Sequence, residues 1–367
     1  MGYRKEAGTS GKAEQEESMS DLNVQELIDG LNASGLDVHT LTEEGMGLSP
    51  STFVEETDEA PSPFIPETNI QFAVDSTSLD SAFRCARLYQ YVIIEGYRPK
   101  HENIHLRFGI EFHTCMADYE ACRIAGENHN DAVFDTIRAL LFRLEDFWPD
   151  PDTKAGKYKS RLHLIMAVIK YLDEHQDDPA ETLMLKNGKP AVELSFRVEL
   201  GMDAAPGQPY ILCGHIDKLV KFQGYVFGKD YKTTTYTPTD HYWKQYDYPD
   251  NQMTIYTIAT RIILPEPAKG MMIESIQNFV EDPPRITRGL TYRTEDQLDE
   301  WILTLECKLI EMRKWSEDNY WPMNPTACDK YGGCPFRPVC NVPPSMRDAV
   351  LETEYEKGER WNPLKPR

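Results

Sequence analysis

The stretch 211–235, "ILCGHIDKLVKFQGYVFGKDYKTTT", predicts a β-hairpin at the centre of the fold. Its two halves are rich in Ile, Val, Phe, Tyr and Thr, as β-strands are. Between them stands Gln223-Gly224, a plausible two-residue turn. With the turn at that dipeptide, Phe222 faces Tyr225, and the pairing of every other residue in the two strands follows.

This register brings charged residues together. It places Asp217 opposite Asp230, and Lys232 projects from the same face two residues later. Opposed side chains lie about 5 Å apart, where two carboxylates repel each other. We therefore expect a cation between them. Mg²⁺ and Mn²⁺ prefer such oxygen ligands, and the carbonyl of Tyr231 is a further candidate. Lys232 would orient the attacking water, help to deprotonate it, or neutralise charge on a phosphate.

The composition limits the class of protein. The 367 residues carry a formal charge of −21, which argues against a generally basic nucleic-acid-binding coat but leaves room for a local basic groove. No apolar run approaches the roughly 20 residues of a membrane span, and the N-terminus lacks the apolar core of a signal peptide. We therefore expect a soluble cytoplasmic protein with no membrane partner. Its eight cysteines are then thiols or metal ligands rather than disulfides.

The chain divides into three parts. Residues 1–68 are predicted to be a disordered acidic segment, because the first 67 residues hold fifteen acidic and three basic side chains. Residues 69–345 form one predicted domain, in which helices precede a meander of strands, a helix, a strand and a long helix. This order predicts an α/β fold with a mixed central sheet flanked by helices, plus an N-terminal helical part. Residues 346–367 are a predicted C-terminal tail.

The charged hairpin resembles that of the PD-(D/E)xK nucleases, whose catalytic hairpin carries Asp on one strand and (D/E)-x-K on the next. Here these are Asp217 in "GHIDKL" and Asp230-Tyr231-Lys232 in "KDYKT". The resemblance implies a restriction-endonuclease-like core. It also implies that Asp217, Asp230 and Lys232 catalyse hydrolysis of a phosphodiester with a bound divalent metal.

Three further matches resemble the RecB-like branch, which includes AddB-type and CRISPR-associated exonucleases. "GIEFH" implies that His113 is a metal ligand, and "QMTIY" implies that Gln252 and Tyr256 support the site and hold the DNA strand. Glu193 in "VELSF" stands where many relatives carry an extra acidic residue. Taken singly, His113 would be a packed histidine, Gln252 and Tyr256 would be part of an ordinary helix surface, and Glu193 would be a solvent-facing strand residue.

A cysteine cluster follows in "CDKYGGCPFRPVC", with Cys328, Cys334 and Cys340. Three cysteines amid Gly and Pro suit a loop around a metal, and Cys85 is the best candidate for the fourth ligand. Iron–sulfur nucleases of the RecB-like branch place one cysteine before the core and three after it, which implies a [4Fe–4S] cluster. Zinc is the alternative, because the C-x5-C-x5-C spacing departs from the branch's usual C-x2-C-x5-C.

Together these features predict a Mg²⁺- or Mn²⁺-dependent DNA exonuclease of phage or bacterial recombination and repair. No helicase phosphate loop is present, so unwinding would require a helicase or recombination partner, and a single strand or a DNA end is the expected substrate. Two alternatives remain: a DNA-binding module of a recombination complex that no longer cuts, and a structure-specific endonuclease.

Overall fold

The computed structural model describes residues 60–100, 103–147, 149–185, 188–264, 267–329 and 333–365. The acidic segment predicted for 1–68 therefore lies outside the described residues, except for 60–68. Phe64 in that short stretch is buried in the main core, so ordered packing begins before residue 69.

The main helices and strands follow the predicted order, and short strands that were not predicted lie around the first helices and before the long helix. The strands are β1 (Ala73–Val74), β2 (Tyr97–Pro99), β3 (Glu181–Thr182), β4 (Val192–Ala205), β5 (Gln208–Phe222), β6 (Tyr225–Thr234), β7 (Gly270–Gln277), β8 (Arg285–Thr291) and β9 (Tyr355–Lys357). The α-helices are α1 (Ser76–Arg84), α2 (Ala86–Tyr89), α3 (Ile104–Ile124), α4 (His129–Arg143), α5 (Lys154–Tyr158), α6 (Arg161–Glu174), α7 (Asp240–Trp243), α8 (Asn251–Ile263), α9 (Glu295–Glu317), α10 (Arg337–Asn341) and α11 (Arg347–Glu354).

A mixed seven-stranded sheet forms the centre of the molecule, which confirms the predicted fold class. Its main order is β1-β5-β6-β7-β8, and β3 and β4 both pair with β5. The pairs β1–β5 and β6–β7 are parallel, and the remaining pairs are antiparallel. Every residue of β7 is buried, as expected for an interior strand of a covered sheet.

Two apolar clusters hold helices against the sheet. Helices α3, α4 and α6 pack through Phe112, Leu140 and Val168 onto Tyr231 and Ile276 of the sheet. Helices α1, α8 and α9 belong to a separate cluster that also takes in side chains of β4, β5 and β7. Elements from both clusters therefore border the β5–β6 hairpin.

The hairpin turn forms at the predicted dipeptide. Gln223 and Gly224 have φ angles of 51° and 84°, so both central residues are in the left-handed region that a type I′ turn requires. Phe222 pairs with Tyr225 as predicted, and the ladder continues in the predicted register to Lys218 and Lys229. The pairing between β5 and β6 stops there, one residue before the two aspartates.

The N-terminal helical part is interrupted within residues 76–96, a stretch whose apolar spacing suits one continuous helix. Cys85 has extended φ and ψ angles of −168° and 124°, which separate α1 from α2, and a π-helix follows at Gln90–Ile94. A long-range contact lies at this break, because the backbone N–H of Asn324 donates to the Sγ of Cys85 at 3.3 Å. A local periodicity cannot reveal a contact across more than 200 residues.

The C-terminal residues pack onto the domain. Strand β9 pairs with β2, and Leu351 and Leu364 are buried. The indole Nε1 of Trp361 donates to both carboxylate oxygens of Asp75, at 3.0 and 3.1 Å. The segment predicted as a tail thus lies against the start of α1.

Candidate active site

The candidate site lies where β5 and β6 stop pairing. Beyond Lys218–Lys229, the side chain of Asp217 turns to the neighbouring backbone, and its Oδ2 accepts a hydrogen bond from the N–H of Tyr231 at 3.1 Å. Asp217 and Asp230 are only 5% and 1% exposed. Two carboxylates so deeply buried need cationic or hydrogen-bonding partners.

His113 on α3 reaches both strands. Its Nδ1 lies 3.1 Å from Oδ2 of Asp217, and its Nε2 lies 2.9 Å from the carbonyl oxygen of Tyr231. Helix α3 approaches β6 closely at Gly109, where an added Cβ would lie 3.9 Å from the hydroxyl of Thr233. The "GIEFH" stretch thereby brings its histidine to the predicted aspartate and carbonyl.

Glu193 on β4 completes a compact group with this histidine. One ligand atom each from His113, Glu193 and Asp217 lies within 4.8 Å of the other two. Glu193 has a φ of 48°, a left-handed conformation that is uncommon for non-glycine residues and that recurs at turns and at functional sites. The sequence made it the weaker candidate, whereas the structure brings it directly to the aspartate.

Asp230 is held by a polar chain from β6 to α8. The Nζ of Lys232 lies 2.7 Å from Oδ2 of Asp230 and donates to Oε1 of Gln252 at 2.7 Å. The amide nitrogen of Gln252 donates to Oδ1 of Asp230 at 3.4 Å and to the hydroxyl of Tyr256 at 3.1 Å. Gln252 and Tyr256, one turn apart on α8, are therefore joined to the charged hairpin as predicted.

The titration of these groups is mutually perturbed. Burial favours neutral Asp217, but the His113 and Lys232 cations and the Tyr231 N–H hold the pKa of Asp217 below its ordinary value. Burial raises the pKa of Asp230, and the Asp217 charge adds to the rise although Lys232 opposes it. Burial would lower the pKa of His113 and of Lys232, yet the carboxylates raise both. Such strong coupling is typical of functional sites.

The donor set matches the chemistry of a hard divalent cation. The carboxylates of Asp217 and Glu193 form one compact group with the imidazole of His113, which also contacts the carbonyl of Tyr231. Asp230 is not part of that group and is held instead by Lys232 and Gln252. Carboxylate and carbonyl oxygens are the ligands that Mg²⁺ and Mn²⁺ prefer.

The four cysteines lie at a separate place. Cys85, Cys328, Cys334 and Cys340 line one cavity between α2 and the loop before α10, and each is half-buried. No three cysteine sulfur atoms of the described residues lie within 4.8 Å of one another. A single tetrahedral zinc ion with bonds of about 2.3 Å needs a tighter set than this.

A polar pair next to the site was not predicted. Ser195 on β4 pairs with His215 on β5, and the hydroxyl of Ser195 lies 2.7 Å from the Nδ1 of His215. His215 stands two residues before Asp217, in the same "GHID" stretch. The period of two along a strand was the available signal, since it places both side chains on one side of β5.

The chain was compared with known proteins. The sequence pattern of the PD-(D/E)XK nuclease superfamily matches residues 76–341, and no curated protein matches the chain. A structure from Eubacterium rectale, described as a candidate exonuclease, is 11% identical, with a TM-score of 0.43 over 76% of this chain and 93% of that one. The structure of SSO0001 is 12% identical, with a TM-score of 0.26 over 66% and 77%.

Both TM-scores are below 0.5, so the family assignment rests on the sequence pattern, which spans most of the described domain. Within that domain, no helix of the described residues has the length and apolar character to cross a membrane. The matched region contains the β5–β6 hairpin, α3 and α8, and hence every residue of the charged site. The chain belongs to the PD-(D/E)XK nuclease superfamily.

Proposed function

We propose that this protein is a Mg²⁺- or Mn²⁺-dependent DNA exonuclease of the RecB-like branch. The observation that carries the proposal is the convergence of His113, Asp217, Asp230 and Lys232 at the point where β5 and β6 separate. Its substrate is single-stranded or end-exposed DNA, as the branch resemblance implies, and a helicase or recombination protein in the cytosol would supply that strand.

The residues of the site divide into ligands and helpers. Asp217, Asp230, His113 and the carbonyl of Tyr231 would hold the ion, and Glu193 would add a further carboxylate. When bound, the divalent ion supplies positive charge at the scissile phosphate and lowers the pKa of water.

The ammonium group of Lys232 is already directed at the site by two oxygen acceptors, on Asp230 and Gln252. From that position it orients the attacking water and neutralises charge on the phosphate. Gln252 and Tyr256 form a hydrogen-bonded pair that holds Lys232 and, next to it, the DNA strand.

The set of side chains favours cleavage over binding alone. Keeping buried carboxylates next to one another costs stability, because burial and like charge both oppose ionisation. A module that only binds DNA has no need of this arrangement, which gives the non-cutting alternative less support.

We further propose that Cys85, Cys328, Cys334 and Cys340 hold a [4Fe–4S] cluster. Two observations support this: all four line one cavity, and the Sγ of Cys85 already accepts the N–H of Asn324. Hydrogen bonds to the sulfurs are a usual feature of iron–sulfur sites, and zinc is the alternative for an all-thiolate set.

The proposed activity is tested with four substrates: linear single-stranded DNA, linear duplex, closed circular single-stranded DNA and RNA. We expect mononucleotides or short products from the linear single strand in Mg²⁺ or Mn²⁺, none in EDTA and none from the circle. Cleavage of the circle would assign an endonuclease instead. Tight DNA binding without any product would assign the binding module.

A further inference from the structure

A cavity of about 280 Å³ adjoins the candidate active site, and we call it the C-terminal pocket. One wall is formed by Gln252 and Tyr256 of α8, and the floor by Gly214 and His215 of β5. The other walls are the first turn of α1 with its capping residue Asp75, Arg98 of β2, and the chain's last described segment from Glu359 to Lys365.

The side chain of Gln252 belongs both to the candidate active site and to the C-terminal pocket. It lines the pocket and also bonds Lys232 at 2.7 Å and Asp230 at 3.4 Å. A strand whose scissile phosphate lies at Asp230 therefore has the pocket directly beside it.

The acidic groups of the pocket are already paired. The carboxylate of Asp75 accepts the N–H and hydroxyl of Ser78 and the indole N–H of Trp361. Glu359 is ion-paired with Lys365. The pocket's carboxylates thus have little remaining capacity to attract a cation.

Its two arginines are not paired. Within the part of the chain that the structure describes, Arg98 and Arg360 have no carboxylate within ion-pair distance, although the charges of Lys365 and then Arg98 lower the pKa of Glu359. The Nε and Nη2 of Arg360 are buried without a hydrogen-bond partner, and its guanidinium lies 3.7 Å from the ring centroid of Phe64. Leaving these two N–H groups without an acceptor is costly. Nη1 is not among these buried atoms and is therefore the nitrogen of this guanidinium that an anion in the pocket could reach.

The first turn of α1 adds further donors. This nine-residue helix begins at Ser76, and Asp75 caps only the N–H of Ser78. The N–H groups of Ser76 and Thr77 have no acceptor within the helix, and they lie at its positive end. Together with the two guanidinium groups they make the pocket complementary to an anion such as phosphate.

We propose that the C-terminal pocket binds a second, non-scissile phosphate of the substrate strand through Arg98, Arg360 and the N-terminus of α1. The proposal rests on the proposed nuclease function, since DNA is the anion presented to this side of the site. The C-terminal segment, which forms the outer wall, thereby becomes part of the substrate site.

The test measures binding separately from cleavage. Affinity for labelled single-stranded oligonucleotides is followed by fluorescence anisotropy in EDTA at several salt concentrations, for the full chain and for Arg98→Ala and Arg360→Gln. Arg138→Ala is the matched control, because this exposed arginine pairs with Asp135 on α4, outside the pocket. Thermal melting checks that each variant is folded.

We expect each pocket variant to bind about tenfold more weakly, as loss of a charged hydrogen bond predicts. The slope of log K against log salt should fall by about 0.7 per lost contact with a single strand, while the control keeps both values. Oligonucleotides with 5′-phosphate, 3′-phosphate or hydroxyl ends separate two sources of the anion. A loss on all three indicates an internal phosphate, and a loss on one phosphorylated end indicates a terminal phosphate.

Unchanged affinity and slope in both folded pocket variants would overturn the proposal. Its failure is distinct from failure of the nuclease function: weakened binding without any Mg²⁺-dependent product would support the pocket and refute catalysis. Mg²⁺-dependent cleavage by the wild type, together with unchanged DNA binding in both pocket variants, would support the nuclease function and refute the pocket.

Discussion

The carboxylate of Asp217 accepts the backbone N–H of Tyr231 at 3.1 Å, just past the last paired residues of the β5–β6 ladder. This bond replaces the strand pairing that the hairpin loses there. Asp217 is held on this side by Tyr231 and His113, and Asp230 on the other by Lys232 and Gln252, so both carboxylates are fixed where the ladder ends.

Replacing Asp217 tests that arrangement. Asp217→Asn keeps the shape and removes the charge beside His113, so we expect cleavage of single-stranded DNA to fall by about 10²- to 10³-fold. Melting temperature should change by only a few degrees. Cleavage within twofold of the wild type would contradict the assigned role.

Gln252 is predicted to position Lys232. Gln252→Leu removes the acceptor at 2.7 Å from the ammonium group and the donor to Asp230, so kcat should fall roughly tenfold. Because the same side chain lines the C-terminal pocket, KM should also rise. Measuring kcat and KM separately distinguishes this variant from Arg98→Ala, for which KM alone should change.

A buried ion-pair network behind the site is predicted to stabilise the sheet. Glu274 on β7 is fully buried, and its Oε1 lies 3.1 Å from Lys229 Nζ and 2.8 Å from Arg288 Nε. Glu274→Ala leaves these cations with only Asp178, so we expect a loss of about 3 kcal/mol in the free energy of unfolding.

The control for that variant is Glu295→Ala, which removes an exposed carboxylate paired with Arg261 and should cost less than about 1 kcal/mol. Urea unfolding of the two variants gives the comparison. Equal losses would show that the buried network contributes no more than a surface pair.

Lys159 gives a pH dependence of stability. Its side chain is 2% exposed, contacts the hydroxyl of Thr233 at 3.0 Å, and burial lowers its pKa from 10.5 to about 8. Between these values the folded chain binds fewer protons than the unfolded chain, so this group makes stability rise with pH, by about 3 kcal/mol in total. In the Lys159→Met variant, this contribution to the rise of the unfolding free energy with pH should be absent.

The measurement is the difference in unfolding free energy between wild type and Lys159→Met at pH 7, 9 and 10.5. Buried tyrosines ionise in the wild type and in the variant alike, so their contributions cancel in the difference between the two unfolding free energies. The advantage of the variant should shrink as the pH rises, and a difference independent of pH would show that Lys159 keeps its ordinary pKa.

The cysteine cluster predicts a coloured protein. Anaerobically purified wild type should absorb broadly near about 400 nm through thiolate-to-iron charge transfer and contain about four irons per chain. Cys334→Ser should lose the absorbance, whereas Cys307→Ser should keep it, because Cys307 is exposed on α9 away from the cavity. Stoichiometric zinc without iron in the wild type would contradict the cluster.

The hairpin and its charged residues were predictable because their information is local. Strand composition and one Gln-Gly turn fix the register, which held from Phe222–Tyr225 to Lys218–Lys229. The mixed sheet and its flanking helices followed from the order of periodic segments in the same way.

Long-range features were beyond the sequence. At the end of the ladder Asp217 contacts His113 from a distant helix, and at the helix break Cys85 accepts a hydrogen bond from Asn324. Strand β8 was not predicted, because the stretch Arg285–Thr291 mixes Arg, Gly and Thr and is held by pairing with β7. The C-terminal pocket forms only because residues 359–365 return to the start of α1.

The most direct test of the central claim is Mn²⁺ binding to the full chain, followed by calorimetry and electron paramagnetic resonance. The wild type should bind Mn²⁺, Asp217→Asn and Asp230→Asn should each bind it at least about tenfold more weakly, and the control Arg138→Ala should match the wild type. Equal Mn²⁺ affinity in the wild type and both aspartate variants would contradict a cation shared by the two strands.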